Sequence, residues 1–268
     1  MRATVTEANL DELALRLDEA VRDARAIAQL SDEQPLTLDQ AYAVQRAGIA
    51  LRVGRGDPVV GVKLGFTSEA KARQMGVFDV IIGQLAASTE VALGDTVDLA
   101  TMVHPRVEPE VAFRLGKELS PDDDPLAAVA EVAPALEIID SRYRDFRFSL
   151  EDVVADNTSA AGFVLGAWVP FAAHSQAIAD AAVGLAFDGR ERETGSTAAI
   201  LGDPRQAVAA AQRLADRYGM PLPAGSIILA GAATAAVALA PGVLVEASVA
   251  GLGSVSVRTA QNPGSNDG

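Results

Sequence analysis

The chain contains no cysteine among its 268 residues. Disulfides, thiolate metal sites and cysteine nucleophiles are excluded together, and a reducing, cytoplasmic setting is expected. Aromatic residues make up only 4% of the chain, so alanine, valine, leucine and isoleucine must fill the core. Basic charge is short as well: 22 Lys and Arg face 36 Asp and Glu, for a net charge of -14. That balance gives nucleic acid no electrostatic footprint. The acidic residues are spread along the chain and serve mainly solubility. No G-x-x-x-x-G-K-[ST] loop occurs, no G-x-G-x-x-G opens a helix, and no G-x-S-x-G elbow points to a serine hydrolase.

Hydrophobic residues reach 49% against 22% charged, so the chain can bury a sizeable core as one large domain or two small ones. The N-terminal stretch has no apolar run of signal-peptide type. No charge lies between Arg217 and Glu246, but Pro221, Pro223, Gly231, Pro241 and Gly242 interrupt that stretch. Buried strands explain it better than a spanning helix, and no membrane role is expected.

Leu10, Leu13, Leu17, Val21 and Ala24 recur at helical spacing, predicting an amphipathic helix over about 9–30. A second helix is predicted from an N-cap at Thr37 to the Gly54–Gly56 turn. After Pro58 the texture changes to short, β-rich pieces: "VVGVKLGF", "RVEPEVAFRL", "ALEIID", "AGFVLGAWV", "VGLAFDG" and "GSVSVR". A helix over 203–219 interrupts them, and "SEAKARQMG" also reads as helical. The expected class is α+β: a helical arm over 1–57, a β-rich catalytic core over 58–260 and a disordered tail over 261–268.

Within "HPRVEPEVAF", strand alternation puts His104, Arg106, Glu108 and Glu110 on one face and Val107, Val111 and Phe113 on the other. Two carboxylates so placed repel, and need a proton, an arginine or a cation. A solvated strand face balanced by Arg106 or Arg114 is the plain alternative. Glu137, between Leu136 and Ile138 in an apolar strand, adds a third carboxylate that demands a partner. Three carboxylates without a thiolate suit Mg²⁺ or Mn²⁺. His104 is a candidate fourth ligand, although a histidine at a strand start more often has a structural role. Lys63, one of only three lysines, lies between Val62 and Leu64. It is either a snorkelling lysine or a cation aimed into a pocket. Thr67 and Ser68 can cap a following helix or contact an anion. Asp156, Asn157, Thr158 and Ser159 form a polar knot that can be a turn or a set of substrate contacts.

The ordered run of "GVKLGFTSEAKARQMGVFDVIIGQL", "HPRVEPEVAF", "PALEIIDSRYRDF" and "VADNTSAAGFVLG" resembles the hydratase/decarboxylase branch of the fumarylacetoacetate hydrolase superfamily. The likeness spans about residues 35–258. It implies a mixed β roll, small 2-oxo acid substrates from catechol meta-cleavage, and a divalent ion held by Glu108, Glu110 and Glu137. It also implies Lys63 as the catalytic lysine; Thr67, Ser68, Asp156, Asn157, Ser159 and Ile81 are the candidate substrate contacts. Two sister activities are implied, 2-oxo-3-hexenedioate (4-oxalocrotonate) decarboxylase and 2-oxopent-4-enoate hydratase. Ile81 stands where the hydratase pattern carries aspartate, and "GFTSEAK" and "HPR" resemble the decarboxylase pattern, which is therefore favoured. Acylpyruvate-type C–C hydrolysis and an inactive partner subunit are lesser alternatives. A homo-oligomer, associating with a sister pathway enzyme, is expected from the resemblance.

Overall fold

The computed structural model describes residues 7–68 and 79–261. α1 (Glu7–Arg22) buries Leu13, Ala14, Leu17 and Ala20 along one apolar stripe. It ends well short of residue 30, where periodicity placed its end. Ala24 turns into the left-handed region at φ 47°. The Ile27 N–H then donates to Arg142 O at 2.8 Å, and the Arg144 N–H to Ile27 O at 3.0 Å. These long-range bonds pull the chain out of the helix, and only the single turn α2 (Leu30–Glu33) follows. α3 (Leu38–Gly54) begins where expected. The Gln40 N–H donates to Thr37 Oγ1 at 3.2 Å and the Thr37 N–H to Gln40 Oε1 at 2.9 Å, a reciprocal cap.

The strands are β1 (Val59–Gly65), β2 (Ile81–Ala86), β3 (Thr96–Val97), β4 (Arg106–Leu115), β5 (Val129–Ile139), β6 (Ala160–Leu165), β7 (Val169–Pro170), β8 (Ala182–Phe187), β9 (Arg190–Ser196), β10 (Ile227–Ala232), β11 (Val237–Ala238), β12 (Leu244–Val249) and β13 (Gly253–Thr259). "AGFVLGAWV" divides into β6 and β7 because its register with β5 slips by one residue, from Leu165 opposite Ala135 to Val169 opposite Val132. The uncharged stretch after Arg217 supplies β10, β11 and the start of β12. A larger sheet runs β2-β1-β10-β4-β5-β6, with β11 beside β4 and β7 beside β5. A smaller one runs β3-β13-β12-β8-β9. β1 with β10 and β3 with β13 are parallel; the other ladders are antiparallel. A bridge between Glu90 and Phe163 joins the chain after β2 to β6, so the larger sheet curls towards its own far edge. This is the mixed roll with a helical arm that the sequence led us to expect.

Register decides which side chains meet. Glu108 lies opposite Glu137, Glu110 opposite Ala135 and Ala112 opposite Ala133, while Lys63 lies opposite Gly83 and beside Leu229. Paired residues share a face. The face that carries these charges also carries Leu85, Ala112, Ala135, Phe163, Leu165, Ile227 and Leu229, which form one apolar cluster. On the opposite face Val62, Leu64, Ile82, Val111, Phe113 and Ile228 pack with α1, α3 and the helix Gln206–Tyr218. Val107, Leu136, Ile138 and Val164 meet Leu185, Phe187, Val245 and Val257 of the smaller sheet. Helices and the second sheet thus cover the outside of the roll, and its inner face is left for the charged groups. Among the described residues no helix is long and apolar enough to cross a membrane.

Removing the α3 cap tests this assembly. Thr37→Ala should lower unfolding free energy by about 1 kcal/mol, read as a shifted urea midpoint with unchanged slope.

Candidate metal centre and active site

β4 and β5 bring the three glutamates together. A ligand oxygen of Glu108, of Glu110 and of Glu137 all lie within 4.8 Å of one another, and all three residues are buried. Glu110 and Glu137 are both 0% exposed. β1 adds Lys63, whose Nζ stands 3.0 Å from Glu137 Oε1 and donates to Thr158 O at 3.0 Å. β10 adds a backbone donor. Its register with β4 slips between Leu229 and Ala232, and Gly231, at φ 113°, turns its N–H to Glu110 Oε2 at 2.8 Å. A Cβ on Gly231 would stand 2.1 Å from Thr67 Oγ1, so the close approach of Thr67 requires glycine there too.

Burial pushes the Glu110 carboxyl well above the ordinary range, and Glu137 and Glu108 push the same way; Lys63 and the Gly231 N–H only partly oppose them. Burial also raises Glu137, with Lys63 pulling it back. For Lys63, burial works against the charged form, but the Glu137, Glu110 and Glu108 charges outweigh it and raise the pKa. Glu110 Oε1 and Glu137 Oε2 receive no hydrogen bond among the described residues. Buried carboxylate oxygens without donors are costly. Among the described residues, three ionised carboxylates face one ammonium, an excess of negative charge that a dication would offset. An all-oxygen donor set of this kind fits Mg²⁺ or Mn²⁺, and the residues present fit the ion.

The other candidate residues are distributed around this cluster. Ile81 opens β2, is buried, and pairs with Gly65 on the Lys63 face. Asp79, two residues earlier, is held outside by Arg213 at 2.7 Å and does not substitute for an acid at position 81. Thr67 is buried against Gly231, and Ser68 is half-buried at the start of the segment 69–78. The helix expected over "SEAKARQMG" lies, but for Ser68, outside the described residues. The polar knot is a turn in which Asn157, Thr158 and Ser159 all have positive φ. Asn157 clamps the backbone of Gln84, accepting from its N–H at 2.8 Å and donating to its carbonyl at 2.8 Å. Asp156 is engaged by the buried Arg142, whose backbone N–H donates to Oδ2 at 3.0 Å and whose Nε donates to Oδ1. The Ser159 and Thr158 hydroxyls are buried without hydrogen-bond partners among the described residues. His104 is not part of the carboxylate cluster. Its backbone N–H is tied to Asp140, and its Nε2 is buried without a partner among the described residues.

Sequence reasoning missed three contributors. Thr158 presents its carbonyl to Lys63, Gly231 its N–H to Glu110, and Arg142 holds the turn that carries Thr158. Arg142 had a signal, as a cation just after the apolar "ALEII". The two backbone groups had none, because a main-chain donor or acceptor leaves no trace in residue type.

The model of the fumarylacetoacetate (FAA) hydrolase C-terminal family matches residues 58–259. The chain belongs to the fumarylacetoacetate hydrolase family. Among its relatives, it is 51% identical over 255 residues to a 4-oxalocrotonate decarboxylase of a Pseudomonas species, covering 93% of this chain and 98% of that one. A 2-keto-4-pentenoate hydratase of Paraburkholderia xenovorans is 35% identical, with 96% and 97% covered. Of solved structures, the 4-oxalocrotonate decarboxylase of Pseudomonas putida G7 complexed with magnesium and adipate superposes with a TM-score of 0.90 at 34% identity, over 97% of this chain and all of that one. That fumarylacetoacetate hydrolase fold with bound magnesium agrees with the donor set found here.

The Asp156–Arg142 pair gives a pH test of the turn. Burial raises Asp156 to about 6 from 3.8, against the pull of Arg142. The folded state therefore holds a proton that the unfolded state releases, so this group's contribution to stability falls as pH rises through that window. Asp156→Asn should lower stability overall yet flatten unfolding free energy against pH between about 4 and 6, as measured by urea titration.

Proposed function

We propose that the protein is a Mg²⁺- or Mn²⁺-dependent 2-oxo-3-hexenedioate (4-oxalocrotonate) decarboxylase forming 2-hydroxypenta-2,4-dienoate. The observation that carries this over the sister hydratase is Ile81. A buried apolar side chain occupies the Lys63 face where the hydratase pattern has a carboxylate. Decarboxylation needs no strong base. The C6–C5 bond breaks, its electrons pass through C5, C4 and C3 to the C2 oxygen, and CO2 leaves. An apolar wall favours loss of a carboxylate as neutral CO2, whereas addition of water needs a further acid–base group. When bound by Glu108, Glu110 and Glu137, the dication supplies Lewis-acid withdrawal of charge at the C2 oxygen.

The chain's own residues do the rest. Lys63 is protonated and buried, and can donate its proton to the C2 oxygen as charge develops there. Glu137 and Thr158 O hold its Nζ in place. Thr67, Ser68, Ser159 and Ile81 are proposed substrate contacts. Asp156 and Asn157 are proposed to act through the turn they fix, because their side chains are taken up by Arg142 and Gln84. The division into an arm at 1–57, a catalytic core at 58–260 and a tail belongs to this reading. So do a cytoplasmic setting and a homo-oligomer associated with a sister pathway enzyme.

Purified protein with Mg²⁺ should release CO2 from 2-oxo-3-hexenedioate. Absence of release together with hydration of 2-hydroxypentadienoate would assign the hydratase activity instead. Lys63→Met should lower kcat by roughly a hundredfold or more while Mn²⁺ still binds. Ile81→Leu should keep most of the decarboxylase activity, and Ile81→Asp should lose it.

A further inference from the structure

Arg106 is the first residue of β4, two positions before Glu108 and therefore on the same strand face. Two strand residues span about 6.6 Å, within the reach of an extended arginine from anything held at Glu108. The guanidinium carbon lies over the Phe146 ring, 4.5 Å from its centroid. It is half-buried, and no carboxylate lies within ion-pair distance of it among the described residues. Among the described residues, the other arginines that are not exposed all have an acidic partner: Arg16 with Glu33, Arg52 with Asp57, Arg114 with Glu131, Arg142 with Asp156 and Arg205 with Asp203. In a chain with an excess of acid, a half-buried cation without a carboxylate partner among the described residues is suited to an anion supplied from outside the protein.

A guanidinium on the same strand face as the glutamate cluster is suited to an anionic group of the ligand held there. A 2-oxo acid directs one carboxylate oxygen and its ketone oxygen to a dication, and its second carboxylate oxygen stays open to a guanidinium. Stacking on Phe146 fixes the plane of the fork before the ligand arrives, which reduces the ordering cost of a charge-assisted contact. His104, edge-on to the same ring at 6.3 Å, encloses Phe146 from another side.

We propose that Arg106, preset by Phe146, is the counter-ion of the substrate's C1 carboxylate and the residue that restricts this site to 2-oxo acids. The proposal rests on the metal-dependent 2-oxo acid reading above, but not on the choice between decarboxylase and hydratase. Each reaction starts from the same 2-oxo acid end.

The test uses the Mn²⁺-loaded protein and pyruvate, the shortest 2-oxo acid, with calorimetry for the ion and for pyruvate separately. Arg106→Met should bind Mn²⁺ within about twofold of the unsubstituted protein and bind pyruvate at least tenfold more weakly, the loss expected for one charge-assisted contact. Arg106→Lys should recover only part of that, since a point charge lacks the planar fork. Phe146→Leu should weaken pyruvate binding by a smaller factor, with Arg106 still present. In turnover, Arg106→Met should raise KM more than it lowers kcat. Unchanged pyruvate affinity in Arg106→Met, with normal Mn²⁺ binding, overturns this proposal and leaves the metal-site reading standing. Failure of the unsubstituted protein to bind Mn²⁺ overturns both.

Discussion

Glu108, Glu110 and Glu137 are packed on the inner face of a curled sheet, and their mutual repulsion is the condition the surrounding residues have to meet. Burial strips the carboxylates of water, and Lys63 can balance only one of the three charges. The Gly231 N–H takes up one oxygen of Glu110, Lys63 stands 3.0 Å from one oxygen of Glu137, and a ligand oxygen of each glutamate lies within 4.8 Å of the others. A divalent ion is the partner that satisfies both the charge and the open lone pairs. The same carboxylate charges raise the pKa of Lys63, whose Nζ stands 3.0 Å from Glu137 Oε1.

The architecture follows from keeping that cluster dry and rigid. Direct pairing of β4 with β5 sets Glu108 against Glu137, and a one-residue slip would send either to the outer face. The outer face is apolar and covered by α1, α3 and the smaller sheet, so register is strongly specified. Close approaches also matter. Gly83 lies under the Asn157–Thr158 turn, where a Cβ would stand 2.7 Å from Asn157 O. That closeness lets Thr158 O reach Lys63 across the roll. The Asp156–Arg142 pair and the Asn157 clamp hold the turn from behind.

Much of this was legible in the sequence because the signals were local. Alternation through Pro105 and Pro109 placed Glu108 and Glu110 on one face, and β4 runs Arg106–Leu115 as the pattern indicated. Glu137 stood out as a charge inside an apolar strand, and Thr37 as a cap. What escaped was non-local or carried by the main chain. α1 ends at Arg22 because Ile27 bonds to Arg142 and Arg144, far away in sequence. The β10 bulge at Gly231 and the Thr158 carbonyl depend on backbone geometry that residue identity does not encode. Asp156 and Asn157 were recognisable as a polar knot, but their pairing with Arg142 and Gln84, distant in sequence, was not.

The central claim is that the buried glutamate cluster holds one divalent ion. Calorimetric titration of the chelator-treated protein with Mn²⁺, beside Glu110→Gln, tests it most directly. The account predicts one ion per chain for the unsubstituted protein, with a rise in thermal stability on binding, and neither effect in a folded Glu110→Gln variant. Equal Mn²⁺ binding by both proteins, or none by the unsubstituted one, would contradict it.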